Sequence, residues 1–295
     1  MSSSFYAPIK IIEVGPRDGL QNEPPPYFNQ DEKLKLINLL INAGLKNIEV
    51  ASFVSPKRVP QMANSADLVR ALPKNNGINF RALVPNQRGL ETAIACDINE
   101  VAVFSAASNA FCQNNIGCSI KASLERYKPV VAQANAAGLP VRGYVSTITH
   151  CPLSGETKPD DVRWVIEELL AMGCYEVALG DTTGETSPQT LTRLLDKLRS
   201  YFPAAKLSGH FHDTYNNALS NVEVAMSFGL TTFDSSIGGL GGCPYAPGAK
   251  GNLATEKLVQ LLANKGRLDP DISTQALANA SYWLQQRNQQ KSRVR

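Results

Sequence analysis

Short β-branched apolar runs alternate along this chain with longer stretches of helical spacing. Ile9–Val14 reads as a buried strand that stops at Gly15-Pro16. Over Asp31–Ala43, apolar Leu34, Ile37, Leu40 and Ile41 recur at helical spacing, and Gly44 supplies a stop. The same pattern predicts strands over 47–51, 79–84, 100–105, 141–146 and 175–180, with helices over 65–72, 87–95, 119–137, 159–172 and 188–201. A seventh strand starts at Lys206 and carries His210 and His212, and a helix over 217–228 follows. The eighth, Thr231–Ile237, precedes a helix over 253–263, and Gln275–Gln289 adds one more. Eight strand-then-helix units predict a parallel sheet closed into a (β/α)8 TIM barrel over about 9–263, with a C-terminal helical extension over about 273–290. All of it forms one catalytic domain over 1–295. A doubly wound open sheet fits less well, because no Gly-x-Gly-x-x-Gly follows the first strand.

Composition narrows the class. With 43% hydrophobic and 19% charged residues, the chain has an ordinary globular mixture and ample core. A net charge of +3 is too mild to support nucleic acid or a membrane surface, and no apolar run reaches membrane-spanning length. The six cysteines contain no Cys-x-x-Cys pair, so a zinc cage is not expected. They read as free thiols of a reducing compartment, and Met1–Pro8 has no room for a secretory signal, which predicts a cytoplasmic protein.

A barrel collects its chemistry at the carboxyl ends of its strands. There the sequence places Arg17 and Asp18 after the first strand, Glu49 on the second, Asp181 after the sixth, and His210 and His212 on the seventh. Cys243 and Asn252 come after the eighth. Strand alternation puts the two imidazoles on one face, where they can share an ion. With Asp18 and the amide oxygen of Asn252 they make a nitrogen and oxygen set without thiolate, which favours Mg²⁺ or Mn²⁺. Arg17, beside a glycine turn, suits an anionic ligand or developing charge, and Glu49 is expected to hold it. Asp181 reads either as a loop cap or as a substrate contact. Cys243 lies in a glycine-rich loop and is expected to be reactive, whereas Cys96 and Cys174 read as core.

These blocks carry a resemblance. Glu13-Val-Gly-Pro-Arg-Asp-Gly-Leu-Gln-Asn-Glu23, Ile48–Pro56, Gly180-Asp-Thr-Thr-Gly184, His210–Tyr215 and Ile237–Glu256 with its Cys-Pro-Tyr-Ala segment are similar to motifs of the 3-hydroxy-3-methylglutaryl-CoA lyase family. The Arg-Asp and His-x-His pairs are shared by a wider superfamily of metal-dependent barrels, and the cysteine loop narrows it to the lyase branch. The resemblance implies cleavage of 3-hydroxy-3-methylglutaryl-CoA to acetyl-CoA and acetoacetate, as in leucine degradation. It implies an acyl-CoA substrate bound with help from Arg17, Gln21, Glu49 and Asp181, a metal on Asp18, His210, His212 and Asn252, and a homodimer. His210 or Asp18 acts as base, Arg17 stabilises the enolate oxygen, and Cys243 delivers a proton.

The chain departs from the family at Ser146-Thr-Ile-Thr-His-Cys-Pro152, where relatives have small residues and Gly-Cys-Pro. His150 therefore comes near the predicted pocket, and the acyl group stays open, because some relatives accept larger 3-substituents. Alternatives to the lyase are a related Claisen-type synthase, a 4-hydroxy-2-oxoacid aldolase, and a non-enzymatic metal or ligand-binding module.

Overall fold

The computed structural model describes residues 7–23, 25, 27–74, 77–241 and 251–292. Eight parallel strands close into a barrel. They are β1 (Lys10–Glu13), β2 (Asn47–Ser52), β3 (Asn79–Leu83), β4 (Glu100–Ala106) and β5 (Val141–Ser146), then β8 (Glu176–Asp181), β9 (Leu207–Phe211) and β10 (Thr232–Ser235). A two-residue-by-two-residue antiparallel hairpin, β6 (His150–Cys151) with β7 (Gly155–Glu156), follows β5. Around the barrel the order is β1-β10-β9-β8-β5-β4-β3-β2, so each strand pairs with the next barrel strand in the chain. The helices are α1 (Gln30–Asn42), α2 (Ser65–Ala71), α3 (Gln87–Ala95), α4 (Asn109–Ile116), α5 (Ile120–Ala136), α6 (Pro159–Ala171), α7 (Pro188–Leu198), α8 (Ala218–Ser227), α9 (Thr255–Asn264) and α10 (Thr274–Ser292).

The helices form where apolar periodicity and caps agree. On α7, Leu191, Leu194, Leu195 and Leu198 are buried at helical spacing, Ser187 accepts from the Thr190 N–H, and Pro188 occupies the first turn. Helix α1 opens with a reciprocal capping box between Asn29 and Glu32. None of the described helices is long and apolar enough to cross a membrane.

The C-terminal extension is helix α10, which packs on α1 and α9. Two elements escape the sequence pattern. Helix α4 buries only Phe111 and Cys112 and so has almost no apolar stripe to read, and the β6–β7 hairpin is too short for alternation to register. The last two barrel strands are shorter than expected: β9 ends at Phe211, with His212 continuing as an isolated bridge to Asn252, and β10 ends at Ser235 before a turn at Ile237–Gly239.

The main apolar core lies between the barrel wall and the helices. The barrel interior is different. Leu83, Ala102, Tyr144 and Ala178 form a small separate cluster there, with Phe104 against it. Much of the remaining interior is charged and paired, through Arg142 with Glu176 and Asp234, and Arg81 with Glu100.

Candidate active site

The first strand delivers two of the site residues on a π-helical turn, Gly15–Gly19. Beneath it, the buried Glu13 carboxylate accepts from the N–H groups of Gly15 (2.8 Å) and Ile237 (2.9 Å) and from the Thr255 hydroxyl (2.6 Å). It thereby fastens the turn to the far end of β10 and the start of α9. Burial pushes its pKa up to about 7, although these three hydrogen bonds oppose the shift.

Arg17 points from this turn into the barrel mouth. Its Nε pairs with Glu49 Oε1 and its Nη1 with Asp18 Oδ1 at 2.7 Å. Burial opposes the Arg17 charge, but Glu49 and Asp18 hold the guanidinium firmly protonated. The other oxygen of Glu49 accepts from the Tyr144 hydroxyl at 3.0 Å. Glu49 is fully buried, with its two oxygens engaged by Arg17 and Tyr144, which makes it the support of Arg17.

Asp18, His210 and His212 converge. Each offers one ligand atom, and these atoms all lie within 4.8 Å of one another. For Asp18, burial raises the pKa, but the charges of Arg17, His210 and His212 outweigh it and hold it at about 2. For His212, burial and the neighbouring His210 push the pKa down to about 4, leaving a neutral imidazole. Its buried Nδ1 has no hydrogen-bond partner among the described residues. Burial also opposes protonation of His210, yet the bond to Asp234 and the charges of Asp234 and Asp18 raise its pKa. An ionised carboxylate, a buried imidazole nitrogen without a partner and a second imidazole 3.9 Å from Asp18 (Nε2 to Oδ2) fit a divalent cation.

Asn252 reaches the same point from the segment after β10. Its amide nitrogen donates to Asp18 Oδ2 (2.8 Å) and to the Leu240 carbonyl (3.1 Å). In this arrangement the Asn252 amide faces Asp18 through its nitrogen. Gly241, at φ +105°, makes this approach possible, because a Cβ there would lie 2.6 Å from the Asn252 nitrogen.

Arg17, Asp18, Gln21, His210 and His212 line one side of a cavity of about 150 Å³, with Leu83, Phe104 and Phe111 also in its wall. Asp181 is not in that lining. Its carboxylate accepts from the N–H groups of Gly184 (3.1 Å) and Thr186 (3.3 Å), and burial raises its pKa to about 7. In this position it caps its own loop. His150 also lies outside the lining, with Nε2 3.5 Å from Glu185 Oε2. Cys243 lies outside the described residues. Cys96 and Cys174 are buried free thiols, as expected.

Sequence reasoning missed Arg142, Tyr144 and Asp234, which lie directly under the site. The signal was present: a charge inside a strand that reads as buried must find a partner. What no local pattern shows is that Arg142 and Asp234 meet from strands that are not neighbours in the closed barrel.

A family model described as HMGL-like matches residues 8–283. The chain is 50% identical over 258 residues to hydroxymethylglutaryl-CoA lyase of Pseudomonas mevalonii, covering 88% of this chain and 85% of the relative. It is 48% identical over 272 residues to the 3-hydroxy-3-isohexenylglutaryl-CoA/hydroxy-methylglutaryl-CoA lyase of Pseudomonas aeruginosa, covering 92% and 90%. The solved HMG-CoA lyase of Brucella melitensis superposes with a TM-score of 0.93 at 43% identity, covering 96% of this chain and 100% of that one.

Proposed function

The chain belongs to the HMGL-like family, and from that premise we propose that it is a carbon–carbon lyase that cleaves 3-hydroxy-3-methylglutaryl-CoA to acetyl-CoA and acetoacetate. The observation that carries the reading is the meeting of Asp18, His210 and His212 with Arg17 in the wall of one cavity.

Asp18, His210 and His212 would hold Mg²⁺ or Mn²⁺, with Asn252 abutting Asp18 as the fourth member of the set. When bound, such an ion supplies Lewis acidity toward the tertiary hydroxyl and the free carboxylate. Asp18, through the carboxylate oxygen that would not hold the ion, takes up the hydroxyl proton, with His210 beside it. The bond between C2 and C3 breaks, C3 becomes the ketone of acetoacetate, and its electron pair passes into the thioester as an enolate. Arg17, fixed by Glu49, faces the oxygen where that charge develops. Cys243 then protonates C2 to complete acetyl-CoA. Gln21, in the same wall, contributes to substrate binding. A homodimer and a place in leucine degradation follow from the same family reading.

The test is acetoacetate release after chelation, with and without added Mg²⁺. Metal-dependent release is expected. Arg17→Gln should lower kcat by about 10²–10³-fold, the scale of losing one preorganised charge-stabilising donor. Cys243→Ser should also lose turnover. Wild-type rates in a folded Arg17→Gln variant would overturn the assigned role. A second reading, a larger 3-substituent, has support in the isohexenyl-active relative and in the Leu83, Phe104 and Phe111 wall. Comparing kcat/KM for the methyl and isohexenyl substrates separates the two.

A further inference from the structure

Below the site, one buried side-chain network spans the barrel. Arg142 on β5 is fully buried. Its Nη1 donates to Asp234 Oδ2 at 3.0 Å and its Nη2 pairs with Asp234 Oδ1 at 2.9 Å. Strands β5 and β10 are not neighbours, since β8 and β9 lie between them, so this pair crosses the interior. Arg142 is itself pinned by Glu176 (2.9 Å), the Ser208 hydroxyl (2.6 Å) and the Tyr144 hydroxyl (2.8 Å). Asp234 Oδ2 also meets His210 Nδ1 at 3.1 Å. The Tyr144 ring stands edge-on to the His210 ring, at 5.8 Å between centroids and 86° between planes.

An ionised carboxylate only accepts hydrogen bonds, so the nitrogen of His210 that faces Asp234 must carry the proton. That leaves the Nε2 lone pair on the side of Asp18. We infer that Asp234, locked by Arg142, is a positioning residue that holds His210 as the Nδ1–H tautomer and presents Nε2 to the cluster of Asp18 and His212. The same lock reaches the other half of the site, because the Tyr144 hydroxyl that accepts from Arg142 donates to Glu49, and Glu49 holds Arg17. One buried guanidinium thus orients both a metal-ligand imidazole and the charge-stabilising arginine. A carboxylate behind a ligating histidine typically contributes about 10–100-fold in metal affinity.

This inference rests on the metal reading of the site, and its test separates the two. In wild-type protein loaded with Mg²⁺, ¹⁵N-resolved NMR of the three histidines reads the protonation of each ring nitrogen. His150→Ala and His212→Ala spectra assign the signals by elimination. His210 should show a protonated Nδ1, and a protonated Nε2 with a bare Nδ1 would overturn the inference without use of any variant at Asp234. Asp234→Asn, which keeps the shape but can turn a donor toward His210, should weaken Mn²⁺ binding by about 10–100-fold in calorimetry and switch the His210 tautomer. Unchanged affinity and tautomer in that variant would also overturn it. If Asp234→Asn fails to fold, the wild-type tautomer decides. If wild-type protein binds neither Mn²⁺ nor Mg²⁺, the metal reading fails, and the tautomer, read in metal-free protein at a pH where His210 is neutral, still judges Asp234.

Discussion

Glu13 shows what one buried group does to the whole fold. Its pKa is raised from 4.5 to about 7, so between those values the folded protein keeps a proton that the unfolded chain has released. Stability therefore falls as pH rises through this window and is lowest above it. Each pH unit is worth about 1.4 kcal/mol, so the change amounts to roughly 3 kcal/mol across the window. Glu13→Gln imitates the protonated form: its oxygen still accepts from Gly15 and Ile237, and its NH₂ faces Thr255. Melting curves at pH 5 and pH 8 should show the variant gaining on wild type as pH rises. A gap that stays constant with pH would rule out the titration. Glu13 was legible only as part of a strand and a family motif. That its carboxylate ties the Arg17 turn to β10 and α9 depends on residues more than 200 positions away.

Between elements, the join of α1 and α10 is the most sensitive to a single atom. Gly44 ends α1 at φ +87°, and a Cβ there would lie 2.0 Å from the Asp271 carbonyl oxygen. The Ser273 N–H donates to the Ala43 carbonyl at 3.0 Å across the same contact. Gly44→Ala meets both the left-handed penalty of roughly 1–2 kcal/mol and a backbone clash. We expect a loss of more than about 2 kcal/mol, with hydrogen exchange accelerating first in α10. Uniform exchange at unchanged stability would contradict the close approach. By contrast Asn29→Ala, which removes the α1 cap, should cost only about 1 kcal/mol. Gly44 was readable as a helix stop from its position alone, but the carbonyl that forbids any side chain there belongs to a segment over 220 residues later.

At the scale of the molecule, barrel closure brings Asp18 from the first unit beside His210 and His212 from the seventh and Asn252 beyond the eighth. Ligand binding there is coupled to folding. A divalent ion at a hundred times its Kd stabilises the fold by about 2.7 kcal/mol. For 295 residues, at about 2.1 cal/mol/K of unfolding entropy each, that corresponds to roughly 4 °C in Tm. Mn²⁺ should raise Tm by this order, EDTA should reverse it, and His212→Ala should lose it. An equal rise in His212→Ala would place the ion elsewhere.

By itself the sequence determined the alternation of strands and helices, their number, and the residues at strand ends where chemistry collects. Those are consequences of local periodicity, of turn residues and of side-chain type. Arg17, Asp18, His210 and His212 were legible for that reason, each being a reactive type at a strand terminus. Only the tertiary structure decided which carboxylates face the cavity and which are enclosed by partners. Glu49 and Asp181 look equally available along the chain, but burial gives Glu49 to Arg17 and Tyr144, and Asp181 to its own loop. Arg142 and Asp234 meet only once the sheet closes. A buried charge must be paired, but distance along the chain carries no information about which partner a closed barrel will bring across its interior.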